Sequence, residues 1–321
     1  MAKLYFFQAV RRAIEVSMEE DETVIVMGED VDLGAFGVTS ELIGRFGPNR
    51  IRKTPISEAV FVGSAVGAAA TGLRPFVDVM FSSFFYVAMD QLMNQAARLR
   101  YMSGGQVELP IVYFAGTGPS GSTAAQHSEN PHALMMHAAG LKVVMPSTPA
   151  DAFGLMMASI RDPNPVVFLG DLSLTSLRSE VPDEPYEIKL GTADVKRPGE
   201  DVTIVAIAST VRTALDLATD LESEGISVEV IDPRTLVPFD WNTVANSVEK
   251  TGRLVVADPA RRLCGAAGEI IAGINERSWS SLKAAPQRVT WPDVPVPFSP
   301  PLEASIEVTK ADLEKAVRAT L

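Results

Sequence analysis

The stretch LKVVMPSTPADAFGLMMASIRDPNPVVFL (residues 141–169) contains two short apolar runs separated by a segment with helical spacing. The two runs predict strands because they are short and apolar, and residues 149–161 between them predict a helix. Short apolar strands that alternate with helices are typical of a parallel sheet whose two faces are covered by helices. This stretch therefore predicts an α/β fold.

The same alternation continues towards both ends of the chain. Before this stretch, TVIVMG, PFVDVMF and LPIVYF predict buried strands, and residues 84–102 predict a long helix. Residues 170–200 interrupt the pattern with prolines and scattered charges, which indicates a connection between two domains. The alternation then resumes with DVTIVAIAS, ISVEVID and RLVVAD.

These patterns predict the α/β fold class, with two three-layer domains built on mostly parallel sheets. The first domain is expected over residues 1–185, a linker over 186–200 and the second domain over 201–321. The lengths of both domains are ordinary for a single domain.

Composition narrows the class of protein. The 321 residues carry a formal net charge of -12, which argues against a nucleic-acid-binding protein, since such proteins normally present a basic face. The single cysteine, Cys264, excludes a disulfide framework and a cysteine metal cluster. No apolar run is long enough to span a bilayer, and the first residues do not resemble a secretory signal. We therefore expect a cytoplasmic protein without a membrane segment.

Residues 54–73, TPISEAVFVGSAVGAAATGL, contain one charged side chain, that of Glu58. A carboxylate at the start of a helix commonly interacts with the helix dipole. The helix that follows is made of small residues, so another chain could approach it closely. A carboxyl group buried in such an interface would have a raised pKa and could share a proton with a ligand nitrogen. The residues alone leave both interpretations open.

All three histidines lie within eleven residues, at His127, His132 and His137. Their spacing does not place them on one helix face, so a zinc site is not expected. His127 ends the glycine-rich loop AGTGPSGSTAAQHSENP, and loops that follow strands of parallel sheets often bind ligands. A loop histidine that bonds to the backbone is the alternative. The same loop lacks the spacing of a P-loop or of a dinucleotide fingerprint.

Several long motifs together resemble a known family. They are, in order, MGEDV, KTPISEAVFVGSAVGAAATGLRPFVDVMF, MDQLMNQAARLRYMSGG, AAQHSENPHALMMHAAGLKVVMP, VEVIDPRTLVPFD, TGRLVVAD and PDVPVPFSPPLE. The chain resembles, over residues 3–320, the beta subunits of the E1 components of 2-oxoacid (pyruvate-type) and acetoin dehydrogenase complexes. The resemblance implies a transketolase-like pyrimidine-binding domain followed by a transketolase C-terminal-like domain.

The resemblance also implies a cofactor and partners. The cofactor is thiamine diphosphate with Mg²⁺, and an alpha subunit holds the diphosphate end, which accounts for the missing diphosphate signature here. The partners implied are that alpha subunit in an α2β2 heterotetramer, a second beta chain, and a lipoyl-bearing E2 protein that accepts the acyl unit. Thiamine diphosphate-dependent oxidoreductase activity is therefore expected only together with an alpha subunit.

Site residues follow from the motifs. Glu58 matches the glutamate that contacts N1′ of the aminopyrimidine and favours its imino tautomer. Phe84 matches an aromatic residue that stacks on the pyrimidine, although a core phenylalanine is the simpler alternative. His127 matches an active-site histidine that orients or protonates the intermediate. Ile56 and Glu29 complete the cofactor-binding set, and a turn-capping role for Glu29 is equally consistent with its position.

Four further positions align with a potassium site that some relatives contain. Such a site uses mostly backbone carbonyl groups, so side-chain identity says little about it. The aligned residues are Ile111, Ser159, Asp162 and Asn164.

The sequence departs from the common family pattern beside the expected site. Gly170 and Asp171 follow the PVVFL strand, SENPH follows His127 with its serine at residue 128, and Pro259 stands where an acidic residue is frequent. The substrate therefore stays open among pyruvate, a branched-chain oxoacid, acetoin and a specialised acyl or ketol donor. Two other functions also stay open: half of a split transketolase-like ketol transferase, and a non-catalytic interaction subunit.

Overall fold

In the computed structural model, which describes residues 1–119 and 121–321, the chain divides into two units. The first unit contains Met1–Thr117 and Leu134–Leu190, and the second contains Gly118–Ala133 and Gly191–Leu321. The segment Gly118–Ala133 thus interrupts the first unit in sequence but groups with the second. Both units combine sheets and helices, so the predicted α/β fold class is confirmed.

Strands and helices alternate through the first part of the chain. The strands are β1 (Ala2–Tyr5), β2 (Val24–Gly28), β3 (Ile51–Lys53), β4 (Arg74–Phe81), β5 (Val112–Thr117), β6 (Lys142–Val144), β7 (Val166–Asp171) and β8 (Arg178–Val181). The helices are α1 (Phe6–Glu20), α2 (Leu42–Phe46), α3 (Glu58–Ala70), α4 (Leu99–Met102), α5 (His132–Met136) and α6 (Pro149–Arg161).

The main sheet of the first unit contains parallel neighbours in the order β6-β7-β5-β4-β2-β3. Every residue of β2, β5 and β7 is buried, which means that both faces of the sheet are covered. Helices α1 and α6 pack against each other and contribute many of the buried side chains beside the sheet. Strands β1 and β8 form a separate antiparallel pair.

The predicted long helix near residues 84–102 is wrong as a single α-helix. The chain forms a 3₁₀ helix over Ser82–Ala88, a π-helix over Gln91–Ala96 and then the short α4. A tight 3₁₀ segment followed by a wide π segment averages to nearly the α-helical period, so the apolar spacing is the same in either case. The 3₁₀ and π segments pack against α3, and a Cβ atom on Gly63 of α3 would lie 3.0 Å from Gln91 Cγ, which shows how closely α3 and the π segment approach.

The second unit repeats the alternation after residue 190. Its strands are β9 (Asp194–Arg197), β10 (Val202–Ala206), β11 (Val228–Asp232), β12 (Thr235–Val237), β13 (Leu254–Arg261) and β14 (Gln287–Trp291). Its helices are α7 (Thr210–Glu222), α8 (Trp241–Thr251), α9 (Ala266–Ser278), α10 (Pro300–Ala304) and α11 (Lys310–Arg318). The sheet order is β14-β13-β10-β11-β9, parallel except for the antiparallel β9.

The second unit has a hydrophobic core of its own. Side chains of β10, β11, β13, α7 and α11 form most of it. Strands β10 and β11 are buried along their whole length, so helices cover both faces of this sheet as well. No helix within residues 1–119 and 121–321 is both apolar enough and long enough to cross a bilayer.

Candidate functional site

Two predicted site carboxylates, Glu29 and Glu58, lie near each other in the first unit. Glu29 directly follows β2, and Glu58 follows β3, which pairs with β2 in parallel. Burial raises the pKa of the Glu29 carboxyl above its usual range, and the negative charges of Asp30 and Glu58 raise it further, while Lys53 opposes the shift. The two predicted carboxylates are therefore within electrostatic range of each other at one edge of the sheet.

Glu58 is the first residue of α3, and only 9% of it is exposed. The side chain of Ser57 makes no capping bond; instead the Ser57 carbonyl accepts hydrogen bonds from the amides of Val60 (2.9 Å) and Phe61 (3.0 Å). The carboxyl group is thus set into the start of a helix whose other residues are uncharged. A carboxyl group at the N-terminus of a helix commonly interacts with the helix dipole.

Apolar side chains are exposed on both sides of the buried Glu58. Ile56 is 74% exposed and Val60 is 64% exposed, and Ser64 and Gly67 continue the same exposed face of α3. A Cβ atom added to Gly67 would meet no atom within 4 Å, so the face is open there. Exposed apolar and small residues around a buried carboxyl group are typical of a surface that another molecule covers.

Phe84 is partly exposed, whereas its neighbour Phe85 is fully buried. The Phe84 ring meets the Phe81 ring edge-on with centroids 5.6 Å apart, and Phe81 meets Phe36 in the same manner at 5.0 Å. Phe85 therefore occupies the core position of this 3₁₀ segment. Phe84 lies at the border of the aromatic cluster, where part of its ring can contact a ligand.

Asp78 is a buried acid that the sequence motifs do not mark as a site residue. Burial raises the pKa of its carboxyl group from 3.8 to about 7, although the hydrogen bond from the Met80 amide (3.0 Å) opposes the shift. Met80 has a φ of 65°, and the register of β4 against β5 shifts between Asp78 and Phe81. The Asp78 side chain thus stabilises the turn of a bulge that ends the strand and begins the segment with Phe84.

The backbone beside Asp78 explains a glycine in the motif MGEDV. Gly28 pairs with Asp78 across β2 and β4 and has a φ of 151°. A Cβ atom at this position would lie 2.3 Å from the Asp78 carbonyl oxygen, so a side chain does not fit. The signal that could have identified Asp78 is a single charged residue inside the apolar run PFVDVMF.

His127 lies in a tight turn of the segment Gly118–Ala133. Its amide donates to the Ala124 carbonyl (3.2 Å), and the hydroxyl groups of Thr123 and Ser128 bond across the turn at 2.7 Å. Its side chain is partly exposed. His127 groups with the second unit, whereas Glu58, Phe84, Ile56 and Glu29 belong to the first.

The four residues of the predicted potassium site lie near the end of α6. The Ile111 carbonyl accepts from the Val166 amide (2.8 Å), and the Ser159 carbonyl accepts from the Asp162 amide (3.3 Å). The Asp162 carboxylate accepts two bonds from Asn164 and contacts the ammonium group of Lys142. A carbonyl oxygen that accepts one hydrogen bond keeps a second lone pair for a cation.

Among the described residues, no group of three or more histidine, cysteine or acidic side chains could hold a metal ion. A cavity of about 430 Å³ lies in the second unit, lined among others by Arg262, Asn275 and Arg288. None of the predicted site residues lines it. The described part of the chain thus contains groups suited to the pyrimidine end of the expected cofactor, but no cluster suited to a diphosphate-bound Mg²⁺.

The chain is similar to known proteins in both of its parts. Residues 2–175 match the transketolase pyrimidine-binding domain family, and residues 191–313 match the transketolase C-terminal domain family. The beta subunit of acetoin:2,6-dichlorophenolindophenol oxidoreductase from Bacillus subtilis is 42% identical over 92% of this chain and 90% of that protein. Its counterpart from Cupriavidus necator is 43% identical over 99% of this chain and 98% of that protein.

Pyruvate dehydrogenase proteins are equally similar. The pyruvate dehydrogenase E1 component subunit beta of Bacillus subtilis is 42% identical over 93% of both chains. Among solved structures, a split-gene transketolase described as an inactive beta4 tetramer superposes with a TM-score of 0.80 at 23% identity, covering 99% of this chain and 100% of that one. The structural match supports the fold, and the sequence matches support the family.

Proposed function

Since the chain belongs to the family of transketolase-like E1 beta subunits of 2-oxoacid and acetoin dehydrogenases, we propose that it cleaves pyruvate, a related 2-oxoacid or acetoin together with an alpha subunit. The acyl unit passes to the lipoyl group of an E2 partner. One observation carries the proposal: a single buried carboxyl group, that of Glu58, begins an otherwise uncharged helix.

The residues present fit the aminopyrimidine end of thiamine diphosphate. Glu58 supplies a buried carboxyl group, and Phe84 supplies an aromatic ring that is partly exposed. Ile56 adds an apolar side chain close to Glu58 in sequence, and Glu29 places a second charge within electrostatic range. The alpha subunit holds the diphosphate and Mg²⁺, since no described cluster of this chain is suited to the metal.

Thiamine diphosphate, when bound, supplies the nucleophilic carbon that adds to the substrate carbonyl. Glu58 holds a proton on its carboxyl group and donates it in a hydrogen bond to the pyrimidine nitrogen N1′. His127 moves a proton at an imidazole nitrogen during substrate cleavage and acyl transfer, since histidine is the side chain best suited to gain and lose a proton near neutral pH.

The partners in this proposal are an alpha subunit, a second beta chain and a lipoyl-bearing E2 protein, in an α2β2 assembly. Support comes from the exposed face around Ile56 and Val60 on α3, which another chain can cover. The first domain, residues 1–185, contributes the pyrimidine site, and residues 201–321 contribute the C-terminal domain after the linker 186–200. A cytoplasmic location is part of the proposal and agrees with the single free cysteine, Cys264.

We expect turnover only from the assembly of this chain with an alpha-type subunit. Binding of thiamine diphosphate is measured by calorimetry, and reduction of 2,6-dichlorophenolindophenol is followed with pyruvate, branched-chain 2-oxoacids and acetoin. The purified chain alone, measured at the same concentration, should give no turnover because in this proposal the alpha-type subunit holds the diphosphate end of the cofactor. Turnover by the isolated chain would contradict the proposal, and the preferred substrate of the assembly identifies the member of the family.

A ketol transferase is the second candidate, because the fold also superposes on a split transketolase. The sequence identities of 42–43% with acetoin and pyruvate enzymes, against 23% with that transketolase, favour the E1 function. An added assay arm with a ketose phosphate donor and an aldose acceptor separates the two. Ketol transfer without dye reduction would replace the E1 assignment, and cofactor binding without either activity would favour an interaction subunit.

We also propose that K⁺ binds at the end of α6, with the carbonyl groups of Ile111, Ser159, Asp162 and Asn164 as ligands. Replacing NaCl by KCl at equal ionic strength should then stabilise the protein. A K⁺ concentration tenfold above the dissociation constant corresponds to about 1.4 kcal/mol of unfolding free energy. Urea unfolding in KCl, NaCl and choline chloride measures this difference. Equal stability in all three salts would rule out the site.

A further inference from the structure

The segment Gly118–Ala133, which carries His127, is held by side chains and carbonyl groups of the rest of the second unit. Contacts from its described residues go to residues 258–261 at the end of β13, which we call the clamp segment, and to α10. The contacts are Glu129 with Arg261, Asn130 with the Pro259 carbonyl, His132 with Asp258, and the Ser122 amide with the Glu303 carboxylate.

Arg261 and Glu129 form a two-pronged ion pair. Nη1 and Nη2 of Arg261 donate to the two carboxylate oxygens of Glu129 at 2.6 and 2.8 Å. The Glu129 side chain is 12% exposed and the Arg261 side chain 34% exposed, so water screens the pair less than an ordinary surface pair. Nε of Arg261 also donates to the Val294 carbonyl (3.0 Å), which fixes the plane of the guanidinium group. Such a pair constrains both the distance and the orientation of residue 129.

His132 and Asp258 form a second pair that is fully buried. His132 Nε2 lies 3.0 Å from Asp258 Oδ1, and the other carboxylate oxygen accepts from the Ala267 amide (3.1 Å) at the start of α9. Asp258 thus connects the end of the His127 segment to a helix of the second unit. His127 lies two residues before the first pair and five before the second, so both constraints act on the same short piece of backbone.

The backbone around His127 needs such external contacts. Ser122 and Ala124 have φ values of 68° and 61°, in the left-handed region that residues with a Cβ atom rarely adopt. Strained residues of this kind persist only where the surrounding structure holds them. The bond from the Ser122 amide to Glu303 (2.7 Å) holds one of them directly, and the clamp segment holds the chain beyond His127.

We propose that the clamp segment positions His127 for catalysis, with Arg261 and Asp258 as positioning residues. The proposal rests on the proposed function, in which His127 acts during substrate cleavage and acyl transfer. Arg261 acts through Glu129 on the turn that carries the imidazole group, and Asp258 acts through His132. Loss of either contact displaces His127 without removing any group that binds the cofactor.

The test is a charge exchange in the assembly of this chain with its alpha-type subunit. Arg261→Glu and Glu129→Arg should each lower kcat about 10-fold to 100-fold, because a displacement of about 1 Å is enough for a loss of this size. KM and thiamine diphosphate binding should stay near the values of the unsubstituted protein. The double exchange should recover most of the loss, and Arg261→Lys, which keeps the charge but not the paired geometry, should fall between.

A matched control exists in the same unit. Arg318 binds both carboxylate oxygens of Glu224 at 2.9 and 2.8 Å on the exposed surface. Arg318→Glu, Glu224→Arg and their combination should leave kcat unchanged. The rate of hydrogen exchange of residues 121–133 is measured on every variant. It should rise in the Arg261 and Glu129 single variants and return to the unsubstituted value in the double variant. It should stay constant in the Arg318 and Glu224 controls.

The two readouts separate the clamp from the proposed function. Faster exchange in the single variants with unchanged kcat would overturn the positioning role, and so would unchanged exchange. The positioning role would also be overturned if the double variant Arg261→Glu/Glu129→Arg lost as much kcat as the two single variants lose together. If the unsubstituted assembly shows no turnover, the proposed function fails, and the positioning role for catalysis fails with it. If hydrogen exchange of residues 121–133 still rises in the single variants and recovers in the double variant, the contact between Arg261 and Glu129 is confirmed and only the functional assignment is wrong.

Discussion

Glu58→Gln is expected to lower kcat of the two-chain assembly by about 10²-fold to 10⁴-fold, the usual effect of removing a group that transfers or shares a proton. Glutamine has nearly the same size and can still form hydrogen bonds, so thiamine diphosphate should bind with little change in affinity. The amide has no acidic proton to share with N1′, and therefore the loss appears in kcat. Calorimetry and dye reduction on the same samples measure both quantities.

Asp151→Asn provides the control for this substitution. Asp151 is also a buried carboxylate in the first turn of a helix of the first unit, where Thr148 caps α6. Its replacement changes a carboxyl group to an amide in a similar position, and kcat should stay within about threefold because Asp151 is not one of the proposed reacting groups. Equal kcat for Glu58→Gln and the unsubstituted assembly would exclude Glu58 from the proton relay, and equal losses in both variants would point to a general effect of buried carboxylates.

Asp78→Asn is expected to remove a pH dependence of stability. The folded-state pKa of Asp78 is about 7 against an ordinary value of 3.8, because burial disfavours the carboxylate. Below pH 3.8 both states hold the proton and the group has no effect. As the pH rises from 3.8 to about 7, the unfolded state loses the proton while the folded state keeps it, so the folded state is destabilised progressively. The total loss is about 4 kcal/mol at about 1.36 kcal/mol per pH unit.

The measurement is urea unfolding of the unsubstituted protein and of Asp78→Asn between about pH 5.5 and 8. About 2 kcal/mol of the total should appear in this window as a difference in slope, since part of the loss occurs at lower pH. The asparagine Oδ1 can still accept from the Met80 amide, so the bulge before Phe84 should be kept. Parallel stability curves for the two proteins would mean that Asp78 ionises with an ordinary pKa.

The architecture could be predicted from the sequence because it depends on local pattern. Apolar runs and helical spacing recur along the chain, as in residues 141–169, and the buried strands β2, β5 and β7 are apolar over nearly all their length. Glu58 could be selected for a related reason: a single charge in a small, apolar segment is visible without any knowledge of its neighbours. The strand–helix alternation and the candidate carboxyl group were therefore determined by the sequence itself.

Three features were decided only by tertiary structure. The predicted helix near 84–102 divides into 3₁₀, π and α segments, of which the first two pack against α3, and periodicity carries no information about that packing. Asp78 has a raised pKa because the folded chain buries it. The sequence shows only that one charged residue lies among the apolar residues of this strand, and it does not show the burial. A hydrogen-bond partner or a dielectric environment belongs to the fold and not to the residue.

The segment Gly118–Ala133 is the third feature, and it shows most clearly the difference between what local sequence determines and what tertiary structure determines. Its sequence position lies among elements of the first unit, and the unusual residues 128–132 and Pro259 stand more than a hundred positions apart. In the folded chain they contact each other, through Asn130 with Pro259 and through the two pairs beside it. Local pattern determined which helices and strands form. Long-range ion pairs and burial decided which unit holds the turn of His127. Those interactions join residues whose separation in sequence carries no information about their distance in space.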